Sequence, residues 1–405
     1  MGECLVCKSN RIERILDLGP QPVSSHYATS PSAKAVEHDL ALALCETCGV
    51  AQLAPPFPFQ DLVPPYKWMT YREPEDHLDA VVDRLWNLPG VGTHSAVGGI
   101  TFKDATTLDR LRHRGCRNVW SIDLREDLGA THPNANIESV QGLLTPERAA
   151  EIVRRRGTVD VLIVRHIVEH AESPRRLLKA LSSLLAPNGY MVIEVPDCTA
   201  NFRRQDYSMI WEEHAIYFTP ETLPQVLAAA GCIPVGQDIH PFPFEDVIML
   251  YARKVGEATV PSTVAPEAIR RNNELCRQFA GAFDGWTERY HRVCKDLTKD
   301  GRRLAAYGAG HLTCAFLNFH RLNEYFAFVV DDTPHKQGLF LPRSSIPIVP
   351  KERLNAREIS ACFFGLNPQI EDKIIANNRG YAENGQFYSM FVDSARSIRK
   401  LIAKQ

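Results

Sequence analysis

Val159-Asp160-Val161-Leu162-Ile163-Val164 is the stretch on which the fold turns. Only Asp160 interrupts the apolar run, so it lacks the alternation of a strand with one wet face. A strand of this kind is covered on both sides, as in a parallel sheet between helical layers. The flanking sequence extends the reading. Upstream, Thr145-Pro146 supplies an N-cap and a proline at the first helical position, predicting a helix to Arg156. Before it, Ser95–Ile100 reads as a first strand, Thr106–His113 as a helix with Leu108 and Leu111 on one face, and Asn118–Asp123 as a second strand ending in an acid. Downstream, a helix from about Pro174 to Leu185 leads into a further buried strand, Gly189–Pro196. Strand and helix alternating over residues 94–255 predict a doubly wound α/β domain, with its ligand crevice at the carboxyl ends of the strands.

Three features mark that crevice. Gly98-Gly99 follows the first strand, with Asp104 further along the loop; this is either a ligand-binding turn or only a turn, since no G-x-G-x-x-G is present. Asp123 ends the second strand, where an acid can accept both hydroxyls of a ribose. Arg165-His166-Ile167-Val168-Glu169-His170 ends the central strand. A fourth stretch, Trp211-Glu212-Glu213-His214-Ala215-Ile216-Tyr217-Phe218-Thr219-Pro220, concentrates two carboxylates, an imidazole and a phenol. A glutamate beside a histidine can fix its tautomer and raise its basicity, which suits a general base. By itself such a stretch is as well explained as a polar loop. Its expected place at the carboxyl-end crevice, with His170, favours the functional reading.

The N-terminal segment carries Cys4-Leu5-Val6-Cys7 and Cys45-Glu46-Thr47-Cys48. Two C-x-x-C knuckles bring four thiolates to one tetrahedral Zn²⁺, a closed structural site; a redox dithiol is the alternative. The other seven of the eleven cysteines are scattered among apolar residues and read as small core residues. A proline-rich connector follows, then Tyr66, Trp68 and Tyr71, an aromatic group that either packs a domain joint or walls a pocket, before a helix from about Glu75. Beyond residue 255 a linker, Val260–Pro266, precedes one long polar helix, Glu267–Lys299. A second α/β pattern then begins: Leu304–His311 is a strand with a G-x-G turn, Phe326–Asp332 a strand ending in two acids, and Ser360–Gly365 a third strand. That is half of a dinucleotide fingerprint without its third glycine, readable as architecture or as a ligand site.

With 44% hydrophobic and 23% charged residues over 405 positions, two or three soluble domains are expected. A net charge of −2 gives no footprint for nucleic acid, and no apolar run is long enough to span a membrane. Together with the lack of a signal-peptide core, these features lead us to expect a cytoplasmic protein.

Taken in order, these motifs resemble the three-domain S-adenosylmethionine-dependent sugar C-methyltransferases. The resemblance covers nearly the whole chain. It is carried by Leu16–Pro22 and Leu44–Leu53, by Val168-Glu169-His170, by Glu213-His214 with Tyr217-Phe218, and by Tyr307–Gly310 with Asp331–Gly338. It implies a zinc module at 1–60, a class I methyltransferase-like domain at 61–255, a linker and helix at 256–300 and a Rossmann-like α/β domain at 301–405. It implies S-adenosyl-L-methionine as cofactor in the crevice of Gly98, Gly99, Asp104, Asp123, Arg165 and His166, structural zinc on Cys4, Cys7, Cys45 and Cys48, and a nucleotide-linked keto-deoxysugar as substrate. In the family's terms His214 removes the proton alpha to the ketone with Glu213 beside it, His170 and Tyr66 line the sugar site and stabilise the enolate, and Tyr217 assists. Two departures stand out. Trp211 occupies the family's tyrosine position and cannot act as a phenol acid. Lys103 and Ala105 replace an asparagine and a glycine around Asp104, placing a cation and a β-carbon at the cofactor loop. Two other readings keep parts of this site: a nucleotide-sugar isomerase or epimerase using the same base, and a non-catalytic nucleotide-sugar-binding protein.

Overall fold

Three strands open the chain in the computed structural model, which describes residues 2–66, 75–242, 245–256, 264–383 and 385–403. They are β1 (Ile12–Pro22), β2 (Glu37–Cys45) and β3 (Ala51–Leu53). The last six residues of β2 are buried, consistent with a strand that is an interior layer of the small N-terminal module. Trp68, Tyr71 and most of the 260–266 linker lie outside the described residues.

The predicted doubly wound domain follows. Its strands are β4 (Ala96–Gly99), β5 (Asn118–Ser121), β6 (Val159–Arg165) and β7 (Leu185–Pro196). A short β8 (Ile216–Tyr217) and a hairpin of β9 (Cys232–His240) and β10 (Val247–Lys254) complete this part of the chain. The main sheet runs β5-β4-β6-β7-β10-β9, parallel through β7 and antiparallel over the hairpin. Chain order reverses on either side of β4, so a topological switch point lies at the carboxyl ends of β4 and β6. The Val159 run is buried in all but Asp160, because helices Pro146–Arg156 and Pro174–Leu184 cover one face and helices Leu78–Trp86 and Ala105–His113 the other. Strand β8 does not join this sheet. It pairs antiparallel with β3, giving a four-stranded sheet in the order β1-β2-β3-β8.

The remaining strands are β11 (Arg303–Tyr307), β12 (Phe326–Val330), β13 (Ile348–Val349), β14 (Ile359–Phe364) and β15 (Gln386–Ser389). They form an all-parallel sheet, β13-β12-β11-β14-β15. By contacts the chain divides into two units. The first is Met1–Ile15, Ala41–Ala200 and Glu213–Arg277; the second is Leu16–Leu40, Asn201–Glu212 and Gln278–Gln405.

Two sequence expectations need correction. The long helix is two helices, Pro266–Gly281 and Phe283–Leu297, broken at Ala282. Gly281 and Gly285 flank the break, and glycine costs about 1 kcal/mol per position in a helix interior. Strand β5 stops at Ser121, so Asp123 belongs to the following loop, where its backbone N–H donates to Asp127 at 2.8 Å.

Candidate active site

The four N-terminal cysteines come together. The Sγ atoms of Cys4 and Cys48 are 3.6 Å apart, as are those of Cys7 and Cys45, and all four lie within 4.8 Å of one another. Tetrahedral Zn–S bonds of about 2.3 Å require sulfur separations of about 3.8 Å, so the cluster fits zinc with little adjustment. Each knuckle turns through a left-handed residue, Lys8 at φ +65° and Gly49 at φ +78°. The shared thiol protons are already uneven: hydrogen bonding to Cys4 pulls Cys7 down to about 7, and Cys4 and Cys48 pull Cys45 lower still. The seven remaining cysteines are buried free thiols, as core residues should be.

At the switch point Gly98 and Gly99 end β4, and the chain passes into a short turn, Phe102–Asp104. A β-carbon at Gly99 would stand 2.8 Å from Leu108 Cδ1 and 3.1 Å from Asp104 Cβ, so a larger residue there would have to displace the Leu108 and Asp104 side chains. Asp104 is fully buried and holds the turn from within. Its Oδ2 accepts from the backbone N–H groups of Ile100 (2.6 Å) and Thr101 (2.8 Å), and its Oδ1 from that of Arg165 (2.9 Å). Burial lifts its pKa to about 6 against these three bonds. Ala105 is the first residue of a helix, with φ −54° and ψ −45°, so its β-carbon meets no backbone demand for glycine. Asp123 is exposed near the end of β5. Backbone N–H groups of Glu126 and Arg125 donate to its Oδ1 and lower its pKa.

Behind the turn lies a buried charge network. The Arg165 guanidinium donates to Glu194 through Nε at 2.5 Å and Nη2 at 3.3 Å. His166, at φ +48°, bridges Glu194 (3.0 Å from Nε2) and Glu169 (3.3 Å from Nδ1). Burial opposes a charge on this ring, but the two carboxylates outweigh it and raise its pKa to about 9. His77 adds a third contact to Glu194 at 3.3 Å. Glu194 is accordingly held well below the ordinary carboxylate value despite its burial. A glutamate inside the apolar strand Met191–Val195 was a visible signal of this network; its partners were not.

The histidines predicted at the crevice meet. The rings of His170 and His214 pack edge to face, 4.7 Å between centroids and 82° between planes. Two groups share His170, each with its polar atoms within 4.8 Å of one another: Glu169 with His170 and His214, and Glu138 with His170 and Glu213; Glu138 Oε1 is 2.6 Å from His170 Nδ1. Glu138, Glu169, His170 and Glu213 are buried, and His214 is half-buried. Backbone bonds fix the arrangement: Ile216 N–H donates to Glu169 O (3.0 Å), and Leu53 N–H to Ala215 O (2.8 Å). Tyr217 is buried on β8, opposite Ala51 of β3, and Tyr66 is 58% exposed. Trp211 falls in the second unit, where its ring packs on His311 at 4.7 Å. In that unit the glycine turn after β11 is engaged by its own chain. Ala309 N–H donates to Asp331 (2.8 Å), and Ala309 O accepts from Lys336 Nζ (2.7 Å) and from the Tyr27 hydroxyl.

Three family models match the chain in succession: a zinc binding domain over residues 4–62, a methyltransferase domain over 92–235 and a C-methyltransferase C-terminal domain over 252–392. The C-methyltransferase NovU of Streptomyces niveus is 23% identical over 411 residues, spanning 98% of this chain and 97% of its own. In that order the three models give the chain the domain organisation of the three-domain C-methyltransferases. Solved structures give weaker likenesses. The 1,6-didemethyltoxoflavin-N1-methyltransferase of Burkholderia thailandensis is 17% identical at TM-score 0.31, over 45% of this chain and 80% of its own. The magnesium protoporphyrin IX methyltransferase of Synechocystis PCC 6803 is 15% identical at TM-score 0.29, over 44% and 81%. Likeness of that degree carries no functional argument. For a C-methyltransferase of this family the methyl donor is S-adenosylmethionine. The glycine turn at 98–99, with no β-carbon demand violated at Ala105 and with Asp123 exposed beside it, is compatible with that cofactor.

Proposed function

We propose that this C-methyltransferase acts on a nucleotide-linked keto-deoxysugar, with His214 as base. One observation carries the reading: a half-buried histidine packs on a buried one that two groups of carboxylates share, in the unit that holds the switch-point crevice. A base must reach solvent and substrate, whereas the group that answers the developing oxyanion works best in a dry, fixed setting. His214 takes the proton alpha to the ketone, with Glu213 supporting the imidazolium that results. The electron pair moves toward the ketone oxygen, where His170 donates a hydrogen bond to the enolate, with Tyr66 and Tyr217 completing the sugar pocket. Bound S-adenosylmethionine would supply the electrophilic methyl group for the enolate carbon and leave as S-adenosylhomocysteine. In this reading Gly98, Gly99 and Asp123 would hold that donor, and Arg165, His166 and Asp104 keep the turn rigid.

The test is transfer of labelled methyl from S-adenosylmethionine to a panel of nucleoside-diphosphate-linked keto-deoxysugars, followed alongside loss of alpha-deuterium from the sugar. Methyl transfer to a carbon of at least one sugar supports the reading. Deuterium loss with epimerised sugar and no methyl transfer would favour an isomerase, and neither event would leave only a binding protein.

A further inference from the structure

Glu138 has no part in the family roles assigned above, yet its placement is specific. It is the second residue of the helix Ile137–Leu143, fully buried. Asn136 starts that helix: its side chain accepts from Glu138 N–H at 3.1 Å, while Ser139 Oγ accepts from Asn136 N–H at 3.3 Å. This capping box fixes where the Glu138 side chain leaves the backbone. Gln141 Nε2 donates to its Oε2 at 3.3 Å, and its Oε1 meets His170 Nδ1 at 2.6 Å. The other titratable groups grouped around His170 are Glu169 on its own turn and Glu213 and His214 from the segment before β8.

A carboxylate can only accept. The proton of this contact therefore sits on Nδ1 of His170, which makes Nε2 the nitrogen that faces other partners. We infer that Glu138 is a positioning residue: its contact with Nδ1 fixes the ring so that Nε2 addresses the substrate oxygen, and its charge offsets the charge on the ring when Nε2 also carries a proton. The inference rests on the reading of His170 as the group that answers the enolate. It assigns a carboxylate–histidine pair to the oxyanion side of the reaction and leaves the base side to His214 and Glu213. As the alpha C–H bond breaks, the proton goes to His214, and the electron pair builds on the ketone oxygen, which accepts from Nε2–H of His170.

Two substitutions separate the parts of this role. Glu138→Gln retains an oxygen that can accept from Nδ1 but removes the charge; Glu138→Ala removes both. Glu138→Gln is expected to lower kcat by about 10- to 100-fold, with KM for the sugar and affinity for S-adenosylmethionine within about twofold of wild type, and to slow alpha-deuterium loss by the same factor. Glu138→Ala should fall further. A role confined to packing would instead raise KM and lower the melting temperature without this split. A kcat within twofold of wild type in both variants overturns the proposal. Nitrogen-15 histidine NMR of the substrate-free protein, assigned with His170→Asn, provides an arm independent of turnover. Nδ1 should carry a proton in wild type and Glu138→Gln, with Nε2 protonated as well in wild type, where the Glu138 charge supports the doubly protonated ring, and the Nδ1 proton should no longer be fixed in Glu138→Ala. An unchanged His170 signal in Glu138→Ala overturns the proposal. Should wild type turn over no keto-sugar, the functional reading fails, and the NMR arm still decides whether Glu138 sets the ring.

Discussion

At the scale of single residues the buried network around Glu194 has a measurable signature. His166 is charged in the fold up to a pKa of about 9, raised from its ordinary 6.5. A raised histidine contributes stability that is complete below the unfolded value and is lost as pH rises through the folded one. That shift corresponds to about 3 kcal/mol. Urea unfolding should therefore show stability falling between pH 6.5 and about pH 9, and His166→Gln should flatten that slope while lowering stability at pH 6. A second test concerns the cofactor turn. Gly99→Ala would force its β-carbon against Leu108 and Asp104, and should cost about 1 to 3 kcal/mol by urea unfolding, with weakened S-adenosylmethionine binding. Several residues of this kind were legible in the sequence. Gly99, Asp104, Asp123, His170 and His214 could be singled out by type and by their place after a strand. Glu138 could not. Asn136-Ile137-Glu138-Ser139 advertises only a helix start, and its link to His170, 32 positions away, exists only after folding.

At the scale of elements, β8 is the piece that sequence periodicity could not show, because two residues carry no period. It nonetheless sets the site. Pairing of β8 with β3, together with the Leu53–Ala215 and Ile216–Glu169 backbone bonds, holds His214 against His170. β3 follows directly on Cys45 and Cys48, so the cysteine knuckle lies next to the strand that supports the proposed base. Replacing Cys45 and Cys48 by serine should remove about one zinc per chain. It should also lower methyl transfer by about 100-fold, the order expected when a reacting group is misplaced by an ångström. Affinity for S-adenosylmethionine should change much less, since the glycine turn lies on β4. Metal analysis, calorimetry and turnover on one preparation check this, and a zinc-free protein with wild-type turnover would contradict it. The longer elements were readable. The Val159 run, the Thr145-Pro146 helix start and the Gly189–Pro196 strand all fall where pattern and capping chemistry put them, to within a few residues. The misread long helix fails at Gly281 and Gly285, where polarity alone masked the break.

At the scale of the whole chain, three modules follow one another in the order of a C-methyltransferase, and we propose that the crevice of the first unit carries the chemistry. The parallel sheet of the second unit has the G-x-G turn and paired acids of a dinucleotide site, but its own Asp331, Lys336 and Tyr27 engage Ala309. Calorimetry with NAD and NADP should accordingly give no binding at millimolar ligand; micromolar affinity would restore this turn as a ligand site. Among the described residues no helix is long and apolar enough to cross a membrane.

The most direct test of the account is His214→Ala, assayed for labelled-methyl transfer from S-adenosylmethionine to a keto-deoxysugar nucleotide and for loss of the sugar's alpha-deuterium. With cofactor affinity and melting temperature near wild type, both activities should fall by about 100-fold or more. A variant that transfers methyl at close to the wild-type rate would show that another group removes the proton.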